Sequence, residues 1–557
     1  MSETLSPTLD TRRAQMFPQL DPLEVERIGR FGEARSYGAG EMLFTAGDVP
    51  DGMFVVLSGQ VRVTARDEGG EERLIVEQGP GNFLAEIGQL AGRPSLVTGV
   101  ASGQVEALVI PSHALRALMV AEAEMGERIM RALILRRVSL VETGGGGPVI
   151  VGTAGHAGVV RLSGFLTRNA HPHHLLDPDE DEEAQVIIDR FRPDETDFPV
   201  VLCPGGEILR NPSEAALARY LGLLTQLDET KLYDVAVVGA GPAGLATAVY
   251  ATSEGLSVLV IDQRAPGGQA GASARIENYL GFPTGISGYA LTNRAYHQAQ
   301  KFGADMAIPA VVEAVDPEED RFRLQLADGQ SALARSVVIA SGVNYRRPDI
   351  PGLEAFEGSA VHFWASPVEA RLCASREVVL VGGGNSAGQA AVYLASHSAN
   401  VSMLVRGKGL SETMSQYLIE RIDALPNVTL LTETEITALE GEDGRLEAVR
   451  WTNRGTGEET RHEARHLFLF IGAEPNTDWL SRCDVALDGK GFVLTGAAVS
   501  KETLGLETSL NGVFAIGDVR SGSTKRVASA VGEGAQVVAT LHRFLADPTI
   551  GPAGMGG

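Results

Sequence analysis

From Gly40 to Val63 the chain reads GEMLFTAGDVPDGMFVVLSGQVRV, short apolar or alternating runs broken by Gly-Asp, Asp-Gly and Ser-Gly. That pattern predicts several short strands joined by tight turns, and hence a small β-barrel or jelly roll. Residues 112–142 place Leu115 with Met119, and Ile129 with Leu133, at helical spacing. One long helix is expected there, with the stripe facing a core. The glycines of 144–147 followed by Pro148 end it. Beyond them the pattern gives a strand at 148–151, a helix near 157–169, an acidic connection, a strand at 198–203 and a helix from Ser213. Two later apolar runs, 233–238 and 377–381, read as buried parallel strands, and a glycine cluster follows each.

Length and charge bound the reading. At roughly 100–200 residues per domain, 557 residues predict about three to five domains. A net charge of −24 opposes nucleic acid and anionic membrane as partners. The three cysteines, Cys203, Cys373 and Cys483, lie too far apart for a disulfide framework or a cysteine-rich zinc site, so a reducing cytoplasm is expected. No apolar run reaches the ~18 residues of a membrane span, and the first residues lack the apolar core of a signal peptide. His171, His173 and His174, with Pro172 among them and the acidic run 177–183 behind, read as an exposed loop and a solvated face rather than a metal site.

The glycine clusters carry the chemistry. Gly239-Ala-Gly241-Pro-Ala-Gly244 follows a strand and opens a helix, the setting in which Gly-x-Gly-x-x-Gly signifies dinucleotide binding. Gly239 is expected to make the tight turn, Gly241 to let backbone approach a pyrophosphate, and Gly244 to permit helix-on-strand packing. Asp262, at the end of the next apolar run, suits a ribose hydroxyl pair. The second cluster, Gly382-Gly-Gly384-Asn385-Ser386-Ala387, ends in alanine, which the motif tolerates. Arg406 stands where an acid would otherwise bind ribose, with Lys408 as a helper charge, so NADPH is preferred over NADH. Two such sites in one chain imply hydride transfer between two redox cofactors.

Further segments resemble thioredoxin reductase: Gly267-Gly268-Gln269, Ile276-Glu-Asn278-Tyr-Leu-Gly-Phe-Pro, Ala340-Ser-Gly342, Ile471-Gly-Ala-Glu-Pro-Asn-Thr477, Gly517-Asp518-Val and the stretch from Arg526 to Gly534. The resemblance implies two α/β Rossmann-type domains, an FAD-binding one at 231–347 with 478–557 and an NAD(P)H-binding one at 348–477. It implies FAD contacts from Gly268, Gln269, Asn278, Gly342, Gly517 and Asp518, with Arg526, Val527 and Ala528 along the isoalloxazine edge. A homodimer is expected. Residues 16–143 resemble the cyclic-nucleotide-binding family, a β jelly roll with a long helix. Its phosphate cassette is the stretch from Asn82 to Ser95. Glu86 matches the glutamate that accepts from the ribose hydroxyl, while Ala85 replaces a glycine and Arg93 is displaced from the arginine position, which Pro94 takes. A cyclic nucleotide held by Glu86 and Arg93 is what this resemblance implies, and the departures count against its phosphate. No basic reader helix follows, so DNA binding is not expected. Residues 148–225 resemble an α/β thioredoxin-like domain, with Phe198-Pro199 matching the family's cis-proline step. The stretch 152–158, where its redox cysteines belong, holds no thiol.

One departure decides the expected function. Thioredoxin reductases carry their dithiol just before the second fingerprint; here Val361-His-Phe-Trp364-Ala-Ser-Pro367 puts Trp364 and Pro367 in both cysteine positions. No catalytic thiol pair is left, and Trp364 is expected to cover the flavin face. The reading is an FAD-dependent NAD(P)H oxidoreductase delivering electrons to an acceptor other than a CxxC-linked thioredoxin. Three alternatives stay open: a ferredoxin-type NADP reductase, thioredoxin-disulfide reduction by a non-standard route, and a low-turnover regulator in which the roll senses a ligand.

Overall fold

Eight short strands fold into two four-stranded antiparallel sheets, ordered 33–37, 105–110, 53–58, 83–84 and 42–44, 98–101, 61–66, 72–78. The computed structural model describes residues 12–66, 72–85, 90, 93–143, 146–204, 206–442, 444–500 and 503–546. Strand Met53–Ser58 explains the roll's two cores. Its side chains alternate, so Phe54 and Val56 pack between the sheets with Phe44 and Val63, while Met53 and Val55 meet the helices after the roll. Those helices bury Leu115, Met119, Ile129 and Leu133 completely.

The expected single helix is two. α2 (Ser112–Ala121) ends at Glu122, which leaves helical geometry at φ −116°, ψ 72°, and α3 (Ala123–Thr143) begins anew. Gly126 allows the fold-back, because a Cβ there would stand 2.8 Å from the Met119 carbonyl oxygen. Glu122 pins the bend to α1 (Pro22–Gly29) and the residue after it, through Arg27 and through Arg30 at 2.8 Å.

Residues 149–220 build a four-stranded sheet ordered 174–176, 149–151, 200–202, 208–210, the first pair parallel and the rest antiparallel. Around it lie α4 (Ala157–Arg168), α5 (Glu182–Phe191) and α6 (Glu214–Tyr220). The expected acidic connection is thus a strand, His174–Leu176, and a helix. Asp177 is buried rather than solvated, since its carboxylate accepts from Ala154 N at 2.7 Å and Asp179 N at 3.0 Å. His171 is also buried, against the expected exposed loop, and loss of solvent pushes its imidazole down to about 3. The Phe198–Pro199 peptide is cis.

Strand Leu232–Val238 is central in a seven-stranded sheet, between parallel neighbours Val258–Ile261 and Ser331–Ile339. Val235 and Val237 point into one core, Ala236 and Val238 into the other, as a strand covered on both faces requires. α7 (Pro242–Ser253) lies under α10 (Val527–Ala546), the closeness resting on Gly534, where a Cβ would sit 2.5 Å from the Ala243 carbonyl oxygen. A five-stranded parallel sheet, ordered 361–362, 466–469, 377–381, 400–404, 428–431, carries the second fingerprint; α8 (Pro367–Leu372) precedes strand Glu377–Val381 and α9 (Asn385–Ala395) follows it. A three-stranded antiparallel sheet spanning 434–463, not anticipated from sequence, flanks it. Strand Val343–Tyr345 pairs with Ala473–Pro475, so the two lobes share a two-stranded link.

Candidate functional site

Strand Leu232–Val238 delivers Gly239 at φ +112°, where a Cβ would run into the Ala340 carbonyl. Gly241 is the extended N-cap of α7, with no side chain capping the helix. A Cβ at Gly241 would meet nothing closer than Gly268 Cα at 3.9 Å, so its backbone faces open space, whereas one at Gly244 would strike the Gly239 carbonyl. The three glycines therefore divide into turn, approach and packing positions. Asp262 follows strand Val258–Ile261 and accepts from Ala240 N at 2.8 Å, Arg264 N at 3.0 Å and Ala265 N at 3.2 Å. It braces the fingerprint turn, a role the sequence did not announce, while still lining the same cleft.

That cleft has a volume of about 690 Å³, within the range of small-molecule sites. Gly239, Gly241, Asp262, Gly268, Gln269, Asn278, Gly342, Gly517, Asp518, Arg526, Val527 and Ala528 all line it, although they come from five separate stretches of chain. Gly244 is not in the lining: it sits in the first turn of α7, packed against the Gly239 carbonyl. Gln269 donates its amide to the Val343 carbonyl, tying the short helix Gly268–Gly271 to the inter-lobe link. Gly517 N donates to Glu533 at 2.7 Å, and Lys525 donates to the Asp518 carbonyl at 2.5 Å. Burial raises the Asp518 carboxyl above the usual range, with Lys525 opposing it. An open backbone at a helix N-terminus, flanked by glycines and basic side chains, fits a dinucleotide such as FAD.

The second fingerprint is only partly in this cleft. Asn385 and Ser386 line it, whereas Gly382, Gly384, Ala387, Arg406 and Lys408 do not. Gly382, at φ +145°, would place a Cβ 2.5 Å from the Phe470 carbonyl oxygen, and Gly384 caps α9 with nothing within 4 Å of a built Cβ. Ala387 is fully buried under the strand. Arg406 and Lys408 are exposed just past strand Asn400–Leu404.

Trp364 lines the cleft and Pro367 does not, being the exposed first residue of α8. The Trp364 indole donates to Glu369 at 2.9 Å, and Glu369 also takes Ser366 N at 2.9 Å and the Ser366 hydroxyl. Arg264 stands over the Trp364 ring at 5.7 Å and pairs with Glu214 of α6 at 2.9 Å. α4 packs on α8, and its first residue, Ala157, lies against Gly358. The start of α4 and the segment preceding the second fingerprint thus cover one another. The thiols take no part. Burial pushes Cys203 and Cys373 up to about 12 and raises Cys483 as well, and no two of them share a core.

In the roll, a cavity of about 70 Å³ lies between Phe44, Val63, Leu84 and Leu140, with Phe17 and Arg136 at its edge. Glu86 lies outside the described residues. Arg93 is not at this cavity: it reaches away from the roll, donating to the Ile308 carbonyl at 3.4 Å, because Pro94 and its neighbours pack on other parts of the chain. The expected pairing of Glu86 with Arg93 around one ligand is corrected on that side.

A model of the pyridine nucleotide-disulphide oxidoreductase family matches residues 233–534, the stretch that contains both fingerprints and the cleft. The chain belongs to that family. Like other pyridine nucleotide-disulphide oxidoreductases it is an NAD(P)H-dependent flavin oxidoreductase, and membership implies FAD and a nicotinamide dinucleotide. Residues 34–122 match the cyclic nucleotide-binding domain. Thioredoxin reductase of Bacillus subtilis is 30% identical over 323 residues, covering 57% of this chain and 96% of its own. That of Mycolicibacterium smegmatis is 33% identical over 316 residues, with 57% and 97% covered. A crystal structure of T. acidophilum thioredoxin reductase, 28% identical, aligns with a TM-score of 0.53 over 57% of this chain and 99% of its own. Among the described residues no helix is long and apolar enough to cross a membrane, and no cluster of ligating side chains suits a metal ion.

Proposed function

We propose that this oxidoreductase uses NADPH and FAD and passes electrons to an acceptor that is not a protein disulfide. The observation carrying this reading is Trp364 closed onto Glu369 at the position of the family's dithiol. Disulfide exchange needs a thiolate. Here every thiol is held above its ordinary range, and Cys373, the nearest in sequence to Trp364, is fully buried. In this reading residues 16–143 are the cyclic-nucleotide-binding-like roll, 148–225 a thioredoxin-like domain, 231–347 with 478–557 the FAD domain, and 348–477 the NADPH domain. The thioredoxin-like domain, thiol-free at its own active end, docks that end on the segment before the second fingerprint, so a free thioredoxin has no approach there.

The chemistry that a bound nicotinamide and flavin supply is hydride transfer. The chain's part is to bind and orient. Gly241 and the start of α7 take the FAD diphosphate, Arg406 and Lys408 select the 2′-phosphate of NADPH, and Trp364 shields the cleft from water. A cytoplasmic homodimer whose rate is modulated through the roll belongs to the same reading. The test is anaerobic NADPH titration of the purified yellow protein, followed by turnover with thioredoxin, ferredoxin, quinones and small oxidants. Bleaching by one equivalent and turnover with a non-disulfide acceptor are expected. Efficient reduction of thioredoxin disulfide would overturn the proposal.

A further inference from the structure

We infer that Arg168, carried by the thioredoxin-like domain, is a cofactor-binding residue that supplies positive charge to the diphosphate of the bound dinucleotide. The inference rests on the FAD reading of the large cleft. Arg168 is the last residue of α4 and lines that cleft, although it lies outside the stretch matched by the oxidoreductase family. Two hydrogen bonds hold α4 there: Arg168 Nη2 donates to the Gly268 carbonyl at 2.7 Å, and Asn169 Nδ2 donates to the Arg264 carbonyl at 3.0 Å. Gly268 in turn abuts Gly241, whose Cα would be 3.0 Å from a Cβ on Gly268. The guanidinium is thereby set beside the backbone left open for a phosphate.

Among the described residues its charge has no ion-pair partner, and Arg168 Nε is buried with no hydrogen-bond partner. The nearby acids are already engaged, Asp262 by three backbone N–H groups and Glu214 by Arg264. Burial first, then the neighbouring Arg264, disfavour the charged form, and Asp262, Tyr345 and Glu214 offset this only in part. A desolvated guanidinium with an unmet N–H is costly unless an anion completes it, and a diphosphate accepts from its fork geometry. Neighbouring α3 also reaches this corner, Arg137 donating to the Ala170 carbonyl at 2.7 Å, so roll, middle domain and cofactor cleft meet at the end of α4.

The test uses full-length apoprotein stripped of flavin, comparing wild type with Arg168→Met and Arg168→Lys. Dissociation constants for FAD, ADP and adenosine are measured by flavin quenching and competition. In Arg168→Met, FAD and ADP are expected to weaken by about 10- to 100-fold, the worth of a charge-assisted hydrogen bond, while adenosine changes less than about twofold. Arg168→Lys should keep most of the ADP preference. Equal loss of ADP and adenosine, unchanged ADP binding, or a lysine variant as weak as methionine would each overturn the role of Arg168. If wild-type apoprotein binds neither FAD nor ADP, the FAD reading itself fails and the inference falls with it.

Discussion

The indole Nε1 of Trp364 lies 2.9 Å from Oε1 of Glu369, a carboxylate only 3% exposed. Glu369 closes a capping box with Ser366 at the start of α8, and Trp364 is its third donor. Glu369→Ala leaves three part-buried donors without their acceptor. At 1–3 kcal/mol for a group stranded in this way, a loss of roughly 2–4 kcal/mol in unfolding free energy is expected. Urea denaturation with Trp fluorescence measures it, and a loss below about 0.5 kcal/mol would deny Glu369 this role.

The glycines of the first fingerprint should separate stability from binding. Gly244→Ala drives a methyl into the Gly239 carbonyl and should lower the melting temperature of the apoprotein. Gly241→Val meets only open cleft, its nearest neighbour being 3.9 Å from the first added carbon. It should fold with an unchanged melting temperature yet bind FAD at least about tenfold more weakly, since it occupies the space of the diphosphate. Comparable melting shifts in the two variants would contradict the division.

Because burial raises all three thiols, replacing them should not touch turnover. A variant with Cys203→Ala, Cys373→Ala and Cys483→Ala is expected to keep the NADPH-dependent rate of flavin reduction within about twofold. In stopped-flow traces, a rate that collapses with any single replacement would return a thiol to the mechanism.

Nicotinamide preference tests Arg406, exposed beyond strand Asn400–Leu404. Arg406→Glu should raise KM for NADPH by about tenfold or more, as expected for losing a charge-assisted phosphate contact, and leave NADH unchanged or improved. Equal effects on both nucleotides would remove the 2′-phosphate assignment.

What was legible in the sequence was whatever depends on local backbone need. Gly239, Gly241 and Gly244 are readable because each answers a separate constraint within one turn, and the alternation of Met53 to Val56 is readable because a strand has two faces. Arg168 was not, since its partner Gly268 lies a hundred positions away and only the docking of α4 joins them. His171, which by its polar neighbours in sequence reads as solvated, is buried with Arg137 and Arg93 nearby. The bend at Glu122 turns on long-range ion pairs with Arg27 and Arg30. Glu369 does have a local trace: Ser366 followed three positions later by Glu is a capping-box signature.

Acid should loosen the fold through its buried histidines. His362 Nε2 and His466 Nδ1 are 3.2 Å apart between adjacent strands, and burial holds both imidazoles well below their ordinary value near 6.5, with Arg376 and Arg465 reinforcing the effect at His466. His297 is pushed down to about 4 in the same way, with Arg137 and Arg93 nearby. Depressed values mean that the folded chain stays neutral at these sites while the unfolded chain takes up protons below about pH 6.5. Their contribution is therefore whole above that pH and is lost as the pH falls toward 4, each site adding a slope of up to about 1.4 kcal/mol per pH unit. The urea midpoint should drop steadily from pH 7 to pH 4.5, and His297→Gln should flatten that decline relative to wild type. A midpoint independent of pH over this interval would mean that the histidines are solvated or charged in the folded enzyme.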